Sequence, residues 1–147
     1  MTPGVEAAMG RSARGVANAV GMAIAQRRLA EEFNRPSHPV IDHWTYAICS
    51  DSERQEGIAS EAVSPAGHLK LSKLVMRDDD NGIQLDGPTS MSFSEDVLAR
   101  VSAYGRHSLR VEDRTEGGDA VVVAFQVEDD PARLSVPRAT AAEGTFR

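Results

Sequence analysis

A chain of 147 residues is one domain's worth, and at that size it buries roughly 68–70% of its unfolded surface, enough for a real core. With 16 basic against 22 acidic residues the net charge is −6, and no basic run exceeds Arg27-Arg28, which argues against a nucleic-acid platform built on clustered Lys and Arg. A single cysteine, Cys49, excludes a disulfide framework and a cysteine-based zinc site; the apolar stretches fall far short of the ~20 residues that span a membrane; and MTPGVEAAMG has no leader pattern, so a reducing cytoplasm is the expected location.

The first ten residues, with Pro3, Gly4 and Gly10, read as a loop. From Gly15 to about Phe33, Val16, Val20, Ala23, Ile24, Leu29, Ala30 and Phe33 recur at spacings of three and four, predicting an amphipathic helix that Asn34-Arg35-Pro36 ends. Trp44 to Cys49 is short and rich in β-formers and predicts a buried strand. A second helical segment runs from about Gln55 to Leu69, and Leu74-Val75-Met76 predicts a second strand before the acidic turn RDDDNG. Ser94 is placed to cap a third helix reaching about Tyr104, with Glu95 and Asp96 in its first turn. His107 to Val111 predicts a third strand. Residues 121–127 read as strand by composition, whereas a helix suits their alternation; Leu134 to Val136 is a last candidate strand. Strands alternating with helices predict an α/β fold with a mostly parallel sheet covered on both faces.

Ligands in such sheets gather at the carboxyl ends of the strands. Asp51 follows the first strand and Asp78-Asp79-Asp80-Asn81 the second, so the two loops face each other if the strands are neighbours. A carboxylate from Asp51 and an amide oxygen from Asn81 are hard ligands suited to magnesium or calcium; equally, polar residues after a strand make turns. The four histidines, His38, His43, His68 and His107, share no evident site. Ser94, His107 and Asp113 could be read as a nucleophile triad, but a cap explains Ser94 better. Cys49, in an apolar strand, reads as an inert buried thiol, and Asp129-Asp130 as a solvated turn.

The runs HPVIDHWTYAICSD, QEGIASEAVSPAGHLKLSKLV and DDNGIQLDG resemble the thiamine-diphosphate-binding domain of transketolase, and TPGVEAAMGRSARGVANAVGMAIAQRRLA resembles that family's upstream cofactor loop and following helix. The likeness is continuous from about Thr2 to Asp113 and weak over 114–147, so 1–147 reads as one partial domain. The resemblance implies a three-layer, mostly parallel α/β diphosphate-binding module, and transfer of a two-carbon ketol unit between phosphorylated sugars in the pentose phosphate pathway, with thiamine diphosphate and Mg2+ as cofactors. The family's Gly-Asp-Gly signature stands here as Ser50-Asp51-Ser52, followed by Asn81; by resemblance Asp51, Asn81 and the Ile83 carbonyl are metal ligands, and Asp51, Ser52 and Asn81 lie at the diphosphate. Glu56 and Glu61 match glutamates of an acidic network at the subunit interface, and Gly10, Arg11 and Ser12 open the loop over the cofactor.

Departures from the family accompany these matches. The cofactor loop reads Gly10-Arg11-Ser12-Ala13-Arg14-Gly15, Ser52 replaces a glycine, Arg54 replaces an apolar residue, and Pro65 falls inside a helix. A left-handed backbone at Ser52 would cost ~1–2 kcal/mol, and an interior proline ~3 kcal/mol or more. No segment matches the family's sugar-handling histidines or its pyrimidine-binding domain with the activating glutamate. Two expectations follow: a transketolase-like subunit completed by a separate pyrimidine-domain polypeptide, or a non-catalytic remnant or interaction module. Either should self-associate through exposed apolar surface.

Overall fold

The computed structural model describes residues 5, 7, 13–84, 86–112 and 121–126. Helix α1 (Arg14–Phe33) presents Val16, Ala19, Val20, Ala23 and Gln26 to the core; Val16, Val20 and Ala23 belong to the expected apolar stripe, whereas Ile24, Leu29 and Phe33 are exposed and Gln26, expected on the polar side, is buried. Asn34 ends it. The Asn34 side chain accepts from the backbone N–H groups of Val40 (2.7 Å) and Ile41 (2.8 Å) and donates to the Ile41 carbonyl (2.9 Å), pinning the chain that leads to the sheet.

Strand β1 (Thr45–Ser50) is followed by the single turn α2 (Asp51–Arg54), which the sequence pattern did not predict, and by α3 (Gly57–His68), which matches the helix expected from about Gln55 to Leu69. Pro65 lies in α3, which nevertheless continues to His68, with Ala59, Val63, Ala66 and Gly67 facing inward. After β2 (Leu74–Asp79) come a two-residue ladder, β3 (Ile83–Gln84) with β4 (Gly87–Pro88), and a 3-10 turn at Thr89–Met91. Helix α4 (Val97–Ala103) is capped by Asp96, whose carboxylate accepts from the Ala99 N–H at 3.0 Å. The cap expected at Ser94 is therefore corrected. Ser94 lies two residues outside the cap, and Asp96 satisfies the free amide at the helix start.

The main sheet runs β1-β2-β6-β5, with β5 at His107–Glu112 and β6 at Val121–Gln126. Residues 121–126 are thus strand, as composition suggested. β1 and β2 pair in parallel from Thr45–Leu74 to Ser50–Asp79. β6 pairs antiparallel with both β2 and β5. Three of the four strands consequently share one direction, and β6 alone opposes them. The cause is connection length: parallel neighbours need a crossover of a dozen or more residues, and only 113–120 separate β5 from β6. The candidate strand at Leu134 to Val136, and Asp113, Asp129 and Asp130, lie outside the described residues.

Side-chain alternation divides the sheet into two faces. Thr45 and Cys49 of β1 and Leu74, Met76 and Asp78 of β2 are buried, together with Val16, Val20, Val63, Val97 and Val101 of the helices. On the other face, Tyr46 is 66% and Ile48 82% exposed. Among the described residues the helices pack on the face that carries Thr45, Cys49, Leu74, Met76 and Asp78. No helix among them is long and apolar enough to cross a membrane.

Candidate functional site

In-register parallel pairing brings the carboxyl ends of β1 and β2 side by side, so Asp51 and the Asp78–Ile83 segment meet as their spacing predicts. Asp51 opens α2 directly after β1. The turn is fixed by Glu53, whose carboxylate accepts from the Ser50 N–H at 3.0 Å. One Asp51 oxygen accepts from the backbone N–H of Gly82 at 2.9 Å. Gly82 has φ +69°, a left-handed conformation that turns its N–H toward β1 and that glycine adopts without penalty.

The other Asp51 oxygen is bound by the Arg54 guanidinium, one turn along α2. The same guanidinium lies 2.7 Å (Nε) from Asp78 and 3.1 Å (Nη2) from Asp80. Arg54, Asp51 and Asp78 are all buried. One cation thus gathers three carboxylates from two strand ends inside the fold. Breaking such a pair by removing one partner typically costs about 3–5 kcal/mol, because the remaining charge stays buried. Burial raises the Asp78 carboxyl to about 7 against the opposing pull of Arg54. Cys49, 3.8 Å from Asp78 and donating toward the Arg77 carbonyl, has its thiol pushed far up by burial and then by the Asp78 charge.

Around this cluster a polar ring closes the adjoining loop. Gln55 donates to Gln84 (3.0 Å), Gln84 to Ser92 (3.0 Å), and the Ser92 hydroxyl donates to Gln55 (2.9 Å). Arg100 of α4 donates to the Arg54 carbonyl (3.2 Å) and to the Ser60 hydroxyl (2.7 Å), and pairs with Glu95 at 3.1 Å. None of Asp78, Asp80, Gly82, Gln84, Ser92 and Arg100 was assigned a role from sequence. The available signals were an arginine three residues after Asp51, hence on its helical face, and an acidic run ending the neighbouring strand.

The remaining sequence candidates fall as follows. Asn81 is exposed, its amide oxygen accepts from the Ile83 N–H (2.9 Å), and its amide nitrogen donates to Asp79 (3.0 Å). Ile83 is exposed. Ser52 is exposed and lies in the turn of α2 outside the positive-φ region, so the expected left-handed strain is absent. Glu56 precedes α3 and Glu61 lies on it, both exposed, and their carboxylates make no hydrogen bond or ion pair among the described residues. Gly10, Arg11 and Ser12 lie outside the described residues. The histidines form no metal-holding group with Cys, Asp or Glu among the described residues. Ser94 and His107 make no nucleophile–base pair there, and Asp113 is not among them.

Asp51, Asn81 and Ile83 do not fit a divalent ion as they stand. Both Asp51 oxygens and the Asn81 oxygen are engaged within the chain. An ion on Asp51 would stand within about 4 Å of the guanidinium, where charges of +1 and +2 repel by about 8 kcal/mol at an effective dielectric constant of ~20.

Comparison with known proteins adds three findings. The family model for the thiamine diphosphate binding domain of transketolase matches residues 1–140. The chain is 51% identical over 136 residues to a transketolase of Geobacillus stearothermophilus and 46% identical over 136 residues to transketolase 1 of Escherichia coli; each alignment covers 92% of this chain and 20% of the relative. Among solved structures, transketolase from Leishmania mexicana superposes with a TM-score of 0.72 at 48% identity, over 76% of this chain and 17% of that one. The chain therefore spans about a fifth of the length of the curated relatives it matches.

Proposed function

Because this chain belongs to the transketolase family through its thiamine-diphosphate-binding domain, we propose that it forms the diphosphate-side half of a thiamine diphosphate site, serving two-carbon ketol transfer between phosphorylated sugars. The observation carrying this reading is the junction of β1 and β2, where Asp51 accepts from Gly82 across thirty-one positions of sequence and sets the two loops edge to edge. In this reading Asp51, Ser52 and Asn81 border the diphosphate, Gly10, Arg11 and Ser12 belong to the loop above it, and Glu56 and Glu61 lie toward an adjoining subunit.

Bound thiamine diphosphate supplies the carbanion chemistry; the chain's share is to hold and orient the diphosphate. Activation of the aminopyrimidine belongs to a glutamate that a pyrimidine-domain polypeptide would bring, and proton handling at the sugar to histidine-bearing segments that this sequence does not match. The apolar sheet face around Tyr46 and Ile48 supports such a partner or a second copy covering it. The reading keeps the chain in the cytoplasm. Magnesium with Asp51, Asn81 and Ile83 as ligands is left out of it, since Arg54 engages Asp51.

Calorimetric titration of thiamine diphosphate against thiamine tests the reading. Weak binding that requires the diphosphate is expected, with no ketol transfer from xylulose 5-phosphate to ribose 5-phosphate by the chain alone. Equal heats for thiamine and its diphosphate would refute it. A second reading, a non-catalytic remnant that retains the fold, is favoured by Arg54 itself, a buried guanidinium in direct contact with the aspartate that should face the cofactor.

A further inference from the structure

We infer that Arg54 is a built-in counter-cation, standing where a divalent ion would otherwise neutralise the acidic end of the sheet, so that this site holds its shape without metal. The inference rests on Asp51 being the diphosphate-side aspartate, and on three observations. First, one guanidinium contacts Asp51, Asp78 and Asp80, with the Arg54, Asp51 and Asp78 side chains 9%, 3% and 0% exposed. A metal bridging two strand ends would make the same kind of contact set, from carboxylate oxygens.

Second, the guanidinium is aimed by contacts on its own backbone. Arg100 donates to the Arg54 carbonyl, and Glu53 caps the turn that carries Arg54. Third, Asp78 continues the inward row Leu74, Met76, Asp78, so its carboxylate points into the core side of β2, where the Arg54 Nε stands 2.7 Å away. Arg54 and Asp78 are thus one device: the arginine supplies the charge, and the aspartate gives it a buried anchor beyond Asp51. Unlike a bound ion, a tethered guanidinium is not removed by chelation, and its positive charge stands directly on one Asp51 oxygen.

The test uses the full chain without thiamine diphosphate, so that failure to bind the cofactor and uptake of metal are separate results, the first counting against the proposed function and the second against the role of Arg54. Mn2+ is titrated calorimetrically, and melting is compared in chelator and in about 5 mM Mg2+. The wild type should melt at the same temperature in both and bind Mn2+ no tighter than about 1 mM. Arg54→Leu should melt lower in chelator, recover with Mg2+, and bind Mn2+ at least about tenfold tighter than the wild type. The double variant Arg54→Leu with Asp78→Leu should regain stability in chelator, because the buried carboxylate leaves with its partner. A wild type whose melting point rises with Mg2+, or an Arg54→Leu chain as stable as wild type in chelator and indifferent to metal, overturns the inference. Should Arg54→Leu fail to fold at all, the wild-type titration and the double variant decide: a folded double variant with a metal-indifferent wild type supports the inference, and an unfolded double variant overturns it.

Discussion

Two glycines in helices offer a matched pair of substitutions whose outcomes should have opposite signs. At Gly67, in α3, an added Cβ would stand 1.9 Å from the Tyr104 carbonyl oxygen and 3.0 Å from its carbon. At Gly21, in α1, it would meet nothing within 4 Å. Alanine gains up to about 1 kcal/mol over glycine inside a helix, so Gly21→Ala should stabilise by about 0.5–1 kcal/mol. At Gly67 the same gain is opposed. The contact must open by about 1 Å, and its partner is main chain at the end of α4 rather than a side chain that can swing aside. Overpacking costs ~1–3 kcal/mol, and with a backbone partner the upper end applies, leaving Gly67→Ala destabilised by about 2 kcal/mol net. For a chain of this length a kcal/mol moves the melting point by ~2–4 °C, so the variants should shift by about −4 to −8 °C and +1 to +4 °C. Thermal and urea unfolding followed by circular dichroism would measure both. A Gly67→Ala chain as stable as wild type would refute the packing of α3 against α4.

Three further outcomes are expected. Burial raises the Asp78 carboxyl from 3.8 to about 7, so between those values the unfolded chain binds fewer protons than the folded one; the stability this group contributes is full below about pH 4 and is lost as pH rises toward 7. Asp78→Asn should remove that decline, on the order of 4 kcal/mol across the window, and an unchanged difference from wild type in urea unfolding at pH 4.5 and pH 7 would count against it. Cys49, 4% exposed and with its thiol held protonated by burial, should resist a thiol-disulfide reagent until denaturant is added; rapid labelling of the native chain would contradict this. Pro65→Ala should restore a donor to the last turn of α3 and raise stability by ~1–3 kcal/mol, read as a higher urea midpoint.

What the sequence determined by itself is local or carried by motif. The spacing of Val16, Val20 and Ala23 fixes the buried stripe of α1, β-formers before Asp51 fix β1, and the runs around Asp51 and Asn81 identify the family. Each depends on residues within a few positions of one another, or on their match to a family. The tertiary structure decided the rest. Whether Ser94 or Asp96 capped α4 depended on which side chain reached the Ala99 amide, and both residue types are good caps. The direction of β6 followed from where β5 ended and how little chain remained to turn. Arg54 is the deepest case. On sequence it is a charged residue among polar neighbours, and its partners Asp78 and Asp80 lie on another strand's end. Only the β1–β2 register puts Asp78 on the inward face and brings that face over α2. Charges separated in sequence interact through distance and burial, and pairing across a sheet sets both.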